Sequence, residues 1–260
     1  MCGPCVRSCF NLCLGNTGHK NIPNKLTSLR KIEGIQLEAL SAEKCKSGAT
    51  VAARELWTEQ VCLFLLIRRP GESTCRAHAR SVWKHWDEFT DLGVRLVCVV
   101  NENIPGEVEA FKEFWGGDIF LDGRKSFFKA LWGGRLAKGG LVGLVANPRV
   151  LSHQFTAMTR NRVPGNLVGN GLVKGGVYII GPGDNGVLYQ FREVTFGDQP
   201  TIEALLEVCE GFAYQTPGDH LSIPPTPSVY LSPVEALSVP PSPAPVRAFH
   251  GSLSDDKLET

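Results

Sequence analysis

The chain of 260 residues has almost no net charge and no long apolar run. Its 27 Lys and Arg residues nearly balance 26 Asp and Glu residues, so the formal net charge is +1. Nucleic-acid binding depends on an excess of positive charge, and this composition therefore gives no reason to expect a nucleic-acid partner. No apolar stretch approaches the roughly 20 residues of a membrane-spanning helix, so none is expected.

The N-terminus also lacks the basic start and apolar region of a secretory signal. The nine cysteines are an odd number, which points to reduced thiols rather than to a disulfide framework. Four of them lie in the first thirteen residues, at Cys2, Cys5, Cys9 and Cys13. These observations together predict a cytoplasmic protein.

Changes in composition divide the chain into three parts. Residues 1–25 are rich in Cys, Gly and Asn and weakly patterned, which predicts a flexible segment. Residues 26–214 alternate β-like runs with helical patterns and are expected to form one domain. Residues 215–260 are rich in Pro and Ser and cannot bury enough apolar surface to offset the entropy of ordering, so they are predicted to be disordered.

The alternation of strands and helices in the middle part is typical of βαβ units in a mixed sheet covered by helices. The predicted strands are Val61–Ile67, Val94–Val100, Asp118–Leu121, Val177–Ile180 and Val187–Val194. The predicted helices are Ala52–Glu59, Arg76–Leu92, Glu107–Trp115, Arg124–Trp132 and Ile202–Phe212. The run from Gly181 to Gly186 predicts a hairpin turn. A βαβ half followed by a hairpin and a helix is the order of the thioredoxin-like α/β fold.

One cysteine is predicted to lie in the first turn of the longest helix. The buried strand ends in Arg68-Arg69-Pro70-Gly71-Glu72-Ser73-Thr74-Cys75. A helix N-terminus and nearby arginines favour an anion, so Cys75 is expected to ionise readily, although the charge of Glu72 opposes this. His78 is expected on the same helix face, where it would hold the thiolate or pass it a proton. The alternatives are a buried inert cysteine and an exposed histidine.

At these residues the chain resembles the peroxiredoxin-like 2 family, redox-regulatory proteins of the alkyl hydroperoxide reductase/thiol-specific antioxidant group. The family pattern is a strand, then Arg-Arg-Pro-Gly-Cys-x-x-Cys-Arg, then a helix. Here Glu72 replaces the first cysteine and Cys75 is the second. Further matching motifs lie at residues 55–57, 117–122, 175–181 and 196–198. The resemblance implies a thioredoxin-like fold and a thiol oxidoreductase or peroxidase-like activity without cofactor or metal.

The replacement by Glu72 bears on the mechanism, because a disulfide cannot form within the loop. The resemblance then implies that Cys75 is the single active-loop thiol, that Arg69 stabilises its anion, and that thioredoxin or glutathione reduces it. Glu72 is either a helix-start acid that interacts with the helix dipole or a fixed charge that imitates an oxidised first cysteine. The family also includes a prostamide and prostaglandin F synthase, so a reductase of that type is a further alternative.

A different class of function is a thioredoxin-fold scaffold that works through the ends of the chain without turnover. Acylation of Cys2, Cys5, Cys9 and Cys13 would tether it to a membrane, and free thiols or a zinc site are the alternatives. The run Pro240 to Pro245 predicts a polyproline helix for an SH3- or WW-type partner, or else a solvated spacer. Residues 133–176, which are rich in Gly, are interpreted as a partly helical insertion beside the active loop.

Overall fold

The structure is a computed structural model that describes residues 21–140, 147–160, 162–166 and 168–213. Its strands are β1 Gln36–Ser41, β2 Thr50–Ala52, β3 Val61–Ile67, β4 Val94–Val100, β5 Asp118–Leu121, β6 Gly176–Ile180 and β7 Val187–Arg192. Its helices are α1 Ser73–Trp83, α2 Trp86–Asp91, α3 Glu107–Phe111, α4 Ser126–Leu131, α5 Pro148–Phe155 and α6 Ile202–Ala213. Two 3₁₀ helices, Leu29–Lys31 and Ala53–Trp57, and a π-helical turn, Thr156–Arg160, complete the described elements.

The described residues belong to the first of two units, residues 1–224, and the second, 225–260, lies outside them. The predictions for the N-terminal cysteines and for the Pro-rich tail also fall outside the described residues.

The strands form one seven-stranded mixed sheet in the order β2-β1-β5-β4-β3-β6-β7. The central strands β3, β4 and β5 are parallel, whereas β6 and β7 on one side and β1 and β2 on the other are antiparallel. The predicted hairpin is confirmed, since the N–H of Gly181 donates to the carbonyl of Gly186 at 2.9 Å between β6 and β7. Gly186 has a φ of +92°, which glycine adopts without steric cost. The predicted thioredoxin-like fold is therefore confirmed.

Four predicted helices are shorter or divided, among them Arg124–Trp132, of which α4 keeps Ser126–Leu131. The predicted helix Arg76–Leu92 consists of α1 and α2, because the chain turns at His85, whose backbone is not helical. The ring centroids of Trp83 and Trp86 lie 5.9 Å apart across this turn. The apolar side of the predicted helix therefore continues from α1 into α2. A 3₁₀ helix replaces most of the predicted helix Ala52–Glu59, and α3 ends at Phe111 rather than Trp115.

The two faces of the sheet bury different residues, because successive side chains of a strand point to opposite sides. One core contains Cys62, Phe64, Val97 and Tyr178 together with Phe127 of α4. Leu65 of β3 pairs with Cys98 of β4, and each follows a residue of this core, Phe64 or Val97. Leu65 and Cys98 therefore face the opposite side of the sheet. This difference separates the buried cysteines into two environments.

Candidate active site

The loop between β3 and α1 is held in place by close backbone packing. Pro70 cannot donate a hydrogen bond to a continuing strand. A Cβ atom on Gly71 would overlap the carboxylate of Glu107 and the amide of Asn166, so these two side chains would have to move if another residue stood there. The backbone N–H of Asn166 donates to the carbonyl of Gly71 at 2.8 Å. The loop is therefore fixed by residues that are distant in the sequence.

Cys75 lies in the first turn of α1, as predicted, but it is only 7% exposed. Its thiol donates to Oε2 of Glu72 at 3.6 Å. Burial raises the pKa of Cys75 to about 12, the charge of Glu72 acts in the same direction, and the charge of Arg68 opposes both. The expectation of a readily ionised thiol is therefore wrong for this geometry, in which desolvation outweighs the positive charge and leaves the thiol protonated near neutral pH.

The charged partner of this thiol is Arg68. Its Nη2 lies 2.5 Å from Oε1 of Glu72, and its Nη1 donates to the carbonyl of Gly171 at 3.1 Å. The predicted partner Arg69 is also buried, with Nε 3.5 Å from Oε2 of Glu72, and it lowers the pKa of Cys75 through its backbone N–H. The positive side-chain charge that lowers the pKa of Cys75 is that of Arg68, whereas the negative charges of Glu72 and Glu193 raise it.

Glu72 is 1% exposed and precedes α1 at the N-cap position. Its side chain makes no capping hydrogen bond and pairs with arginines instead, so it is more than a helix-start acid. Sequence reasoning missed a second buried carboxylate, Glu193, whose Oε1 lies 3.5 Å from Nε of Arg68. Burial raises the pKa of Glu193, while Arg68 and the N–H groups of Gly175 and Gly197 oppose the shift.

Part of the Gly-rich segment covers the active loop, which confirms the interpretation that it lies beside it. A Cβ atom on Gly165 would overlap the backbone of Ser73, and one on Gly171 would overlap the guanidinium of Arg69. Arg76 donates to the carbonyl of Pro164 at 3.0 Å and fixes the same segment. These approaches explain the glycines and pack the segment against the loop that leads into α1.

A pocket of about 20 Å³ reaches Cys75 and has room for one water-sized molecule. His78 lines it, as the helical spacing predicted. Burial lowers the pKa of His78 to about 4, and its buried Nε2 has no hydrogen-bond partner among the described residues. The imidazole is therefore neutral near pH 7.

A groove of about 310 Å³ adjoins this pocket and shares Thr74, Gly197 and Asp198 with it. Its other side is formed by His153 of α5 and Ala157 of the π-helical turn. Molecules larger than water therefore have space beside the first turn of α1.

Two further cysteines were considered as partners for an oxidised Cys75. Cys98 shares an electrostatic interaction with Cys75, whereas Cys62 belongs to the core on the opposite face of the sheet. Within the described ranges, no cluster of three or more His, Cys, Asp or Glu residues could hold a metal ion. No helix in those ranges is both long enough and apolar enough to span a bilayer.

This arrangement defines a thioredoxin-fold protein with one thiol at the start of the helix that follows the first parallel strand. The family described as AhpC/TSA antioxidant enzyme matches residues 82–195. Peroxiredoxin-like 2A of Rattus norvegicus is 35% identical over 81% of this chain and 88% of its own length. Peroxiredoxin-like 2A of Gallus gallus is 37% identical over 72% of this chain and 79% of its own length. The chain therefore belongs to the peroxiredoxin-like 2 family, which supports a thiol-based antioxidant or redox role.

Solved structures with a similar fold include peroxiredoxin Q of Xanthomonas campestris and a mutant of peroxiredoxin 6 of Arenicola marina. The first is 12% identical, has a TM-score of 0.49 and covers 72% of this chain and 97% of its own. The second is 13% identical, has a TM-score of 0.49 and covers 75% of this chain and 80% of its own. The family assignment depends on the sequence relatives.

Proposed function

We propose that this protein reduces peroxides with Cys75 as the only thiol of its active loop. The observation that supports this proposal is that Cys75 and Arg68 line one small pocket, while the Glu72 carboxylate contacts both the thiol of Cys75 and the guanidinium of Arg68. The pocket has room for one water-sized group, such as the terminal oxygen of a peroxide. A nucleophile, a proton acceptor and a cation are the groups that this reaction needs.

In the proposed reaction, Glu72 accepts the thiol proton as the sulfur attacks the outer oxygen of the peroxide. An S–O bond forms and the O–O bond breaks, so that the other oxygen takes up a proton and leaves as an alcohol or water. The sulfur loses two electrons and becomes a sulfenic acid, while the peroxide gains them. The charge of Arg68 stabilises the attacking sulfur and the leaving oxygen, both of which are negative in the transition state.

Regeneration requires a second thiol, because Glu72 occupies the position of the family's first cysteine. A thiol such as glutathione or thioredoxin would attack the sulfenic acid, release water and form a mixed disulfide with Cys75. A second reductant thiol would then restore Cys75 and leave as part of a disulfide. The groove beside Thr74 provides space for such a reductant.

The second candidate function is a scaffold of the same fold that does not turn over. It is favoured by the burial of Cys75 and by the pKa of about 12, since a buried protonated thiol is a poor nucleophile. The scaffold would act through the N-terminal cysteines or through Pro240 to Pro245.

Trapping of the sulfenic acid distinguishes the two functions. The full chain is treated with one equivalent of hydrogen peroxide in the presence of dimedone, and the peptides are analysed by mass spectrometry. The redox function predicts a dimedone adduct on Cys75 in the wild type and in Cys62→Ser, and none at this position in Cys75→Ser. Adducts confined to the N-terminal cysteines would contradict the redox function and favour the scaffold function.

A further inference from the structure

The helix formed by α5 and the π-helical turn, residues 148–160, is anchored to the domain by its inner side. Val150 is buried against Phe196, and Ala157 is buried about two turns further on. Nδ1 of His153 lies 3.2 Å from the carbonyl oxygen of Phe196. These contacts fix which side of the helix faces outward.

The outward side is also apolar, which is unusual for a helix at the surface. Phe155 is 68% exposed, Met158 57% and Leu151 48%. Among the described residues, six large apolar side chains are exposed, and half of them lie on this one helix. Single exposed apolar side chains need no explanation, but a row at helical spacing does.

The segment that carries this helix is also positively charged. Residues 133–176 contain no Asp or Glu and six Lys or Arg residues, namely Arg135, Lys138, Arg149, Arg160, Arg162 and Lys174. The rest of the chain has 21 Lys and Arg residues against 26 Asp and Glu residues and is therefore negative. Exposed cations flank the apolar row at both ends, with Arg149 in the first turn and Arg162 just beyond the last.

We propose that the apolar row of Leu151, Phe155 and Met158, flanked by Arg149 and Arg162, binds the surface of an anionic lipid bilayer. An apolar helix side beside cations is the pattern of helices that lie in the membrane interface, where the side chains enter the acyl boundary and the cations meet lipid phosphates. A stable protein partner needs roughly 800 Å² on each side, more than three side chains of a short helix provide. The bilayer is therefore the occupant that fits.

Vesicle sedimentation with the full, unacylated chain tests this surface separately from any acylation of the N-terminal cysteines. Vesicles of phosphatidylcholine alone are compared with vesicles that also contain phosphatidylserine. We expect binding that requires phosphatidylserine and weakens as salt is added. Absence of such binding overturns the proposal.

Two variants and two matched controls assign the binding to this surface. The double variant Leu151→Ser/Phe155→Ser should bind the anionic vesicles about tenfold more weakly, because it removes exposed apolar surface without disturbing a core. Leu26→Ser/Val194→Ser, which changes exposed apolar residues elsewhere, should bind like the wild type.

The charge is tested in the same way. Arg149→Ala/Arg162→Ala should bind more weakly and lose part of the salt dependence, whereas Lys44→Ala/Lys46→Ala should not. Equal losses of vesicle binding in the variants and in their controls overturn the proposal. So does a wild type that self-associates through Leu151 and Phe155 in sedimentation equilibrium but ignores vesicles.

Discussion

The guanidinium of Arg68 lies 2.5 Å from the carboxylate of Glu72, and both side chains are almost completely buried. Glu193 adds a second buried carboxylate 3.5 Å from the same guanidinium. Arg68 therefore pairs with two carboxylates next to the only thiol of the loop, and Arg69 also pairs with one of them, Glu72. Because buried charges are costly to leave unpaired, Arg68 is expected to matter for stability as well as for chemistry.

Arg68→Met should therefore destabilise the protein strongly. The variant keeps most of the side-chain volume but leaves Glu72 and Glu193 without their shared cation, so we expect a loss of about 3–5 kcal/mol in the free energy of unfolding. Urea unfolding measures it. Arg54→Met is the matched control, since Arg54 also contacts two carboxylates, those of Glu33 and Asp184, but at an exposed position. A similar loss in both variants would show that burial is not the cause.

The pKa of Cys75 sets the pH dependence of its alkylation. The pKa is raised from 9.0 to about 12, so the reactive thiolate is scarce at neutral pH and its fraction grows with each further pH unit. The rate of iodoacetamide addition at Cys75 should therefore still be rising near pH 9.5, where the rate for a free cysteine levels off. A rate at Cys75 that levels off near the pKa of free cysteine, about 8.5, would contradict the burial seen here.

Glu72→Gln should make Cys75 more reactive toward alkylation. The amide keeps the shape of the side chain but removes a negative charge that raises the pKa of Cys75, so we expect alkylation near pH 8 to be faster by about tenfold. Peptide mass spectrometry measures the rate at Cys75 alone. The exposed Glu109, paired with Lys112, gives the control Glu109→Gln. An unchanged rate in Glu72→Gln would mean that the carboxylate does not act on the thiol.

The parallel centre of the sheet was predictable because β3 is a continuous apolar run and β4 and β5 are apolar apart from Arg95 and Asp118, as expected of strands covered on both faces. The strands β1 and β2 were missed. In β1 the alternation of exposed and buried residues covers only Gln36 to Ala39, and β2 has three residues, too few for a pattern.

The candidate site was predictable in its local part only. The sequence predicted that Glu72 and Cys75 lie at the start of a helix, and the structure confirms both positions. The burial of the thiol could not be predicted, because residues that line the pocket at Cys75, such as Gly176, Glu193 and Gly197, follow roughly a hundred or more positions later. Arg68 and Arg69 also look alike in the sequence, and the folded loop is needed to show that the guanidinium of Arg68 lowers the pKa of the thiol.

The sheet register predicts which second cysteine can reach an oxidised Cys75. Cys98 lies on the side of the sheet that interacts with Cys75, and Cys62 lies on the other side. If peroxide treatment produces a disulfide between described cysteines, we expect it to join Cys75 to Cys98, with loss of water from the sulfenic acid. Peptide mapping without reduction identifies the link. Cys98→Ser should abolish it and the equally buried Cys62→Ser should not, whereas a link to Cys62 would contradict the register.

A cysteine at position 72 tests whether Glu72 limits the rate of peroxide turnover. The Oε2 atom of Glu72 lies 3.6 Å from the sulfur of Cys75, so a cysteine at position 72 would face the thiol. In Glu72→Cys we expect peroxide to produce a disulfide within the loop, and peroxide turnover with thioredoxin to rise by about tenfold or more, because an internal thiol attacks the sulfenic acid at high effective concentration.

The control for that variant is Glu72→Ser, which removes the same charge without adding a thiol. Both variants leave Arg68 with Glu193 as its remaining carboxylate, so any loss of stability should be similar in the two. A gain in turnover confined to Glu72→Cys would assign the limit to the absent thiol. An equal gain in Glu72→Ser would assign it to the charge beside Cys75. If Glu72→Cys folds but forms no disulfide with peroxide and gains no turnover, Cys75 is not oxidised even with a second thiol beside it, and the scaffold function is favoured.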